Sequence, residues 1–162
     1  MFLKGHYQNA YVTHDLQWAM DHVGERYGLE TWITFEIELD VKTPAGAAKQ
    51  ATKVACAWDG GLQLELIEPV SGFVDPFLPY LPKDKSDRSL RLHHVSLRRD
   101  DRTQMQAEIE RLGLPFVCSG GIPDLVYTYL DARGTLGHYL EYVWATPAGW
   151  AMVGWPEGRP TA

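Results

Sequence analysis

The sequence predicts an α+β fold built from two βαβββ modules with curled sheets. Three observations carry that prediction. A strand-like run bearing histidine opens each half, Gly5-His6-Tyr7-Gln8-Asn9-Ala10-Tyr11-Val12 in the first and Leu92-His93-His94-Val95-Ser96-Leu97 in the second. An amphipathic helix pattern follows each run. Each half then closes on a strand that sets a glutamate among apolar residues, Leu62-Gln63-Leu64-Glu65-Leu66-Ile67 and His138-Tyr139-Leu140-Glu141-Tyr142-Val143. A duplicated order of this kind outranks local propensity as a guide to architecture.

In the first half, Leu16, Ala19, Met20, Val23 and Tyr27 fall at i, i+3, i+4, i+7 and i+11, the apolar stripe of a helix over 15–27. Thr13 or Asp15 can cap its start, and Gly28 stands where a left-handed residue ends it. Ile33, Phe35, Ile37 and Leu39 then alternate with Thr34, Glu36, Glu38 and Asp40, which makes a strand with one apolar and one acidic face. A turn over 44–48 leads to a strand over 50–58. Asp59-Gly60-Gly61 makes a hairpin into the Glu65 strand, which is expected to stop at Pro69. Leu62, Leu64 and Leu66 share one face of that strand, so Glu65 lies on the other with Gln63 and Ile67.

Residues 70–91, with Pro76, Pro79, Pro82 and the run Lys-Asp-Lys-Ser-Asp-Arg, read as a linker whose first half is ordered by Phe73, Phe77 and Tyr80. The modules are therefore expected over 1–69 and 92–145. The second repeats the order: a strand over 90–98, a helix over 103–112 on the stripe Met105, Ile109 and Leu112, and Gly113 as its stop. A short strand over 115–118, a strand over 125–130 and a turn over 131–137 precede the Glu141 strand. His6 and His94 are 88 positions apart and Glu65 and Glu141 are 76 apart, so the second unit is 12 residues shorter. The tail, 146–162, is rich in Trp, Gly and Pro and is expected to be irregular.

A formal net charge of −6 argues against a nucleic-acid surface, because little here would displace counterions from phosphates. Arg88, Arg91, Arg98, Arg99 and Arg102 do gather, but Asp87, Asp100 and Asp101 are interleaved. The cluster reads as solvated surface, with an anion-binding rim as the alternative. Cys56 and Cys118 lack C-x-x-C spacing and read as reduced, buried thiols. No leader-like segment opens the sequence, and no run nears the ~20 apolar residues of a membrane span, so a cytoplasmic protein without a membrane partner is expected.

A pseudo-twofold relation between the modules brings equivalent positions together, and with them His6, His94, Glu65 and Glu141. Imidazole nitrogen and carboxylate oxygen suit a divalent zinc, nickel, cobalt, manganese or ferrous ion, and this set leaves room for water. His94 is preferred to His93, which shares a face with Val95 and Leu97 and is expected to pack beneath the helix. The plain alternative for either histidine is a core or solvated side chain. Glutamates among leucines are harder to leave unpaired, since an isolated buried carboxylate is strongly unfavourable.

In the segments Gly5-His6-Tyr7, Leu64-Glu65-Leu66-Ile67-Glu68-Pro69, Leu92-His93-His94-Val95 and Tyr139-Leu140-Glu141-Tyr142, the chain resembles the vicinal oxygen chelate superfamily. That group includes glyoxalase I, methylmalonyl-CoA epimerase, extradiol dioxygenases and the bleomycin- and fosfomycin-resistance proteins. The resemblance spans about residues 5–144. It implies a glyoxalase-like fold, a metal held by His6, Glu65, His94 and Glu141, and a homodimer. It also implies a metal-dependent lyase, isomerase or epimerase acting on a small molecule with adjacent oxygens. In such enzymes the ion stabilises charge that develops when a proton leaves the carbon beside a carbonyl.

As in similar glyoxalases, Glu141 or Glu65 is the expected catalytic base. The doubled histidine and the Glu-x-x-x-Pro ending look most like the epimerase branch. Similar epimerases add a glutamate on the third strand of the first module, and here 50–58 has none. Glu36 or Glu38 could substitute at the substrate, with a solvated acidic face as the alternative. Tyr127 and Tyr129 share a face and are expected on the cavity wall, in reach of substrate oxygen. His138 is expected either to support the Glu141 strand or to be exposed. Six Trp and eight Tyr suit an aromatic substrate. Two other classes remain open: a ferrous ring-cleaving dioxygenase, for which Glu65 is surplus, and a non-catalytic resistance-type binding protein, for which the ligand set is unnecessary.

Overall fold

In a computed structural model that describes residues 4–156 and 158, both long helices start on an aspartate cap and end on a left-handed glycine. Asp15 Oδ1 accepts from the Trp18 amide at 3.0 Å to open α1 (Leu16–Tyr27), and Gly28 closes it at φ 75°. Asp101 Oδ1 accepts from the Gln104 amide at 2.9 Å to open α2 (Arg102–Leu112), which Gly113 ends at φ 62°. α1 lays Leu16 and Ala19 against Ala55 and Leu66, while Met105 of α2 packs against Leu97, Leu140 and Tyr142. Fully burying one such leucine is worth about 1.5–3 kcal/mol, so packing rather than propensity holds these helices.

Eight strands close into one barrel: β1 (His6–Val12), β2 (Ile33–Thr43), β3 (Gly46–Asp59), β4 (Leu62–Gly72), β5 (Arg91–Arg99), β6 (Phe116–Ile122), β7 (Leu125–Leu130) and β8 (Tyr139–Ala145). Their order around the wall is β1-β4-β3-β2-β6-β7-β8-β5. β1 runs parallel to β4 and β5 parallel to β8, while β1 and β5 pair antiparallel. The two histidine strands therefore lie side by side, flanked by the two glutamate strands. On the opposite side the wall is thin, since β2 and β6 pair only at Lys42 and Ser119 among the described residues.

Several local expectations are corrected. β4 does not stop at Pro69 but runs to Gly72, because the register against β3 skips Val70 and this bulge accommodates a residue without an amide hydrogen. The turn over 131–137 contains the short helix α3 (Arg133–Leu136). In the tail expected to be irregular, Thr146 Oγ1 accepts from the Gly149 amide and Pro147 opens α4 (Pro147–Met152). At Gly149 the helix presses so close to Asp124 O that an added Cβ would lie 2.1 Å from it. Residues 157 and 159–162 of that tail lie outside the described residues. In the stretch read as a linker, Leu78–Tyr80 form a 3₁₀ turn and Phe77 is buried. No helix among the described residues is long and apolar enough to cross a membrane.

Candidate metal and substrate centre

Two bulges at the β1–β5 seam decide which side chains face the barrel interior. His6 opposes Leu97 and Gln8 opposes Ser96, so Tyr7 is the extra residue. The bulge turns His6 away from the centre, to where its Nε2 lies 2.8 Å from Asn9 Oδ1, and leaves both Tyr7 and Gln8 on the cavity. Farther along, Ala10 opposes His94 and Tyr11 opposes Leu92, so His93 is extra in turn. His93 is thereby brought in rather than packed beneath the helix. Its ring stacks on Phe77 with centroids 4.6 Å apart and meets Tyr129 and Tyr139 edge-on or tilted.

His94 is fully buried, and its Nε2 lies 3.3 Å from Glu65 Oε2 and 3.3 Å from Glu141 Oε2. Its tautomer follows from its neighbour. His93 Nε2 lies 3.2 Å from the Pro76 carbonyl, which only accepts, so that nitrogen carries a hydrogen. Burial, reinforced by the charge on His94, holds the His93 pKa well below the usual imidazole value, so its Nδ1 is a lone pair. His94 Nδ1 donates to it at 2.9 Å. The other nitrogen of His94 is thus turned to the two carboxylates. Burial opposes a charge on His94, but Glu141 and Glu65 outweigh it and lift its pKa to about 9. Burial likewise raises the carboxyl of Glu65, against the pull of His94.

A chain of amides fixes a fourth donor. The Val153 carbonyl accepts from Trp58 Nε1 at 3.0 Å and from Gln63 Nε2 at 2.9 Å. Gln63 Oε1 then accepts from Gln8 Nε2 at 2.7 Å. The amide oxygen of Gln8 is therefore the atom left for the centre, where Ser96 Oγ lies within hydrogen-bond reach of both it and Glu141 Oε2 and has one hydrogen to share between them.

Gln8, Gln63, Glu65 and Glu141 floor a cavity of about 560 Å³ walled by Phe35, Ile37, Val54, Phe77 and Val143, with His94 and Ser96 buried behind them. Tyr127 and Tyr129 both line it, and Tyr127 donates to Gln50 Oε1 at 3.0 Å. Glu36 lines the cavity from an exposed position on β2. Cys56 lies 3.9 Å from Glu65 Oε1, and burial, followed by the charge on Glu65, pushes its thiol well up. Burial also lifts the Cys118 thiol, to about 12, so both cysteines are protonated and unreactive. His138 Nδ1 turns to the Tyr139 carbonyl at 2.7 Å, outside the cavity lining.

The sequence profile of the glyoxalase/bleomycin resistance protein/dioxygenase superfamily matches residues 7–125. The chain belongs to this superfamily. Solved structures show the same fold at low identity. A variant of methylmalonyl-CoA epimerase from Streptomyces coelicolor, in complex with 2-nitronate-propionyl-CoA, is 18% identical over 89% of this chain and 99% of that one, with a TM-score of 0.57. A hypothetical protein from Bacillus halodurans is 15% identical over 87% and 94%, with a TM-score of 0.59. A methylmalonyl-CoA epimerase in complex with methylmalonyl-CoA and NH4+ is 19% identical over 90% and 96%, with a TM-score of 0.58. No curated protein matches the sequence.

Superfamily membership raises the question of a metal. Among the described residues no group of three or more His, Cys, Asp and Glu side chains stands as a ready metal site. What is present is an imidazole between two carboxylates, spaced as an ion pair. The donor chemistry nonetheless fits a cation, because His94 Nε2 is a buried nitrogen with no hydrogen-bond partner, aimed at two anionic oxygens. Donors that share one ion at ~2.0–2.2 Å stand ~3 Å apart, near the spacing seen here. Of the four expected ligands, the structure brings together Glu65, His94 and Glu141 and leaves His6 aside. Gln8, on the floor, and Ser96, buried beside it, complete the centre and were passed over by sequence reasoning. Gln8 was signalled only by lying two positions beyond His6 on the same strand.

Proposed function

We propose that this superfamily member is a divalent-metal-dependent lyase, isomerase or epimerase of the glyoxalase type, acting on a small molecule with adjacent oxygens. The observation that carries the proposal is the buried His94 imidazole held between Glu65 and Glu141, the two carboxylates that line the cavity floor. Two carboxylates there require a positive charge. The His94 proton supplies it in the ion-free protein. In the loaded protein Glu65, His94 and Glu141 would hold a divalent cation, with the Gln8 amide oxygen as a further donor. When bound, such an ion supplies a Lewis acid for a substrate carbonyl.

The chain's own residues do the rest. The apolar walls exclude water and strengthen charge interactions within. Tyr127 and Tyr129 orient substrate oxygen. Glu65, which lines the cavity, accepts the proton from the carbon beside the carbonyl. Delivery of a proton to the neighbouring carbon completes an isomerisation, and delivery to the opposite face of the same carbon completes an epimerisation. Glu141, tied to Ser96, stays in place and keeps His94 aligned. The methylmalonyl-CoA epimerases among the structural neighbours support proton transfer of this type. The superfamily resemblance extends the proposal to a homodimer, which sedimentation would check.

The test is elemental analysis of protein exposed in turn to zinc, nickel, cobalt, manganese and ferrous ions and then desalted. About one ion per chain is expected, with affinity lowered ~10-fold or more in Glu65→Ala and Glu141→Ala. Less than about a tenth of an ion per chain with every metal would overturn the proposal.

A further inference from the structure

We infer that Tyr127 meets the ligand of this cavity as a hydrogen-bond acceptor, so that the substrate carries a hydroxyl or N–H group where it touches that residue. The inference goes beyond the metal-centred reading and does not need the ion. The evidence is a second chain of fixed hydrogen-bond polarity, separate from the one that ends at Gln8. Phe73 is held by its amide, which donates to the Lys49 carbonyl at 2.7 Å. Its own carbonyl only accepts, so the buried Gln50 turns its Nε2 there, at 2.9 Å. Gln50 Oε1 then points the other way, and Tyr127 donates to it at 3.0 Å. A phenol has one hydrogen, and Gln50 already holds it. What the Tyr127 oxygen has left for a ligand is lone pairs.

Packing holds that geometry in place. Tyr127 stands on β7 opposite Gly120 of β6, and its ring lies across that glycine on the way to Gln50 of β3. A Cβ added at Gly120 would lie 2.7 Å from the Tyr127 hydroxyl oxygen and 3.0 Å from Val41 Cγ1, so only glycine leaves the ring its seat. Burial, with Cys118 and Glu141 nearby, holds the phenol well above its ordinary pKa, so it keeps its hydrogen. Gln50 and Tyr127 both line the cavity, together with Leu39, which opposes Gln50 in register. The pair stands apart from the ion centre, since Gln50 lies well along β3 from Cys56, the residue opposite Glu65. A ligand that offers Tyr127 a hydroxyl or N–H extends the chain from Phe73 through Gln50. One that offers only a carbonyl or ether oxygen sets lone pairs against lone pairs. Tyr127 can turn its hydrogen to such a ligand only by leaving the buried Gln50 oxygen unpaired. That asymmetry makes a hydrogen-bonding site reject an analogue without the matching group.

The test is NMR titration of the full chain, ion-free and exposed to Zn2+, with cyclohexanol and cyclohexanone, rings of one size whose oxygen does or does not carry a hydrogen. Shifts of the Gly120 and Tyr127 backbone amides report binding at this end of the cavity. Cyclohexanol is expected to bind ~10-fold more tightly than cyclohexanone, with or without the ion. Gln50→Leu releases the Tyr127 hydrogen, so it should tighten cyclohexanone and bring the two affinities level. Tyr127→Phe leaves Gln50 Oε1 as the acceptor and should keep the preference for cyclohexanol. A merely structural Gln50 would weaken both probes alike. Three results would overturn the inference: cyclohexanone bound as tightly as cyclohexanol by the wild type, a preference unmoved by Gln50→Leu, or no shift at those amides with either probe. The first and the last need only the wild-type chain, so the inference can fail even where a variant does not fold. A chain that takes up no ion yet keeps the preference upholds this inference and overturns the metal reading. One that takes up the ion and shows no preference does the reverse.

Discussion

Raising the pH of the ion-free protein should loosen it through one imidazole. His94 has an ordinary pKa of 6.5 and is lifted to about 9 in the fold by Glu141 and Glu65, against burial. Because the folded value is the higher one, the stabilisation is complete below ~6.5 and disappears as pH rises through about 9. Glu65, also raised in the fold, acts in the same direction at lower pH. His93, whose pKa is lowered, acts oppositely and only on the acid side, so it does not confuse the alkaline window. The interval from 6.5 to about 9 corresponds to at most about 3 kcal/mol. For a chain of this size that is a fall in Tm on the order of 6–12 °C.

The assay is thermal unfolding followed by circular dichroism on chelator-treated protein from about pH 6 to 8.5, below the range in which the two raised cysteine thiols contribute a slope of their own, beside His94→Gln, which should lack the slope in that window. Saturating Zn2+ should reverse the trend, because an ion competes with the proton for Nε2 and binds better as pH rises. A flat wild-type profile, or a His94→Gln variant that retains the slope, would refute the account of the triad.

The two candidate donors of β1 separate cleanly. Gln8→Leu should weaken divalent-ion binding ~10-fold or more, while His6→Ala should stay within about twofold, as read by calorimetry. Equal losses would show that the bulge at Tyr7 does not hold in solution. The tail helix should contribute measurably to stability. Trp150 is buried, edge-on to Tyr7 at 5.5 Å and 4.3 Å from the Arg98 guanidinium, so Trp150→Ala should cost about 3–5 kcal/mol in urea unfolding. A loss under about 1 kcal/mol would place α4 outside the cooperative core.

Much of the fold was legible because its signals are local. The 3.6-residue stripe of 16–27 and its Asp15 and Gly28 ends predict α1 without knowledge of what it packs on, and the alternation of 33–40 predicts β2 in the same way. Parity along a strand was enough to turn Glu65 and Glu141 inward, since neither the Leu62-Leu64-Leu66 face nor the pairing of Ser96 with Glu141 is interrupted near them. Parity failed at His6 and His93. One extra residue in a strand reverses every face beyond it, and whether a residue is extra depends on the partner strand, not on its own neighbours. The tail helix escaped notice because a few residues carry no full period, and Trp150 finds its place only against Tyr7 and Arg98. Which atom of Gln8 faces the centre is decided by a carbonyl at Val153, through Gln63. Sequence determined the two βαβββ units and the two long helices through short-range periodicity, and nominated three of the centre's side chains. Tertiary structure alone chose between Gln8 and His6, because strand register and hydrogen-bond polarity are properties of pairs far apart in the chain.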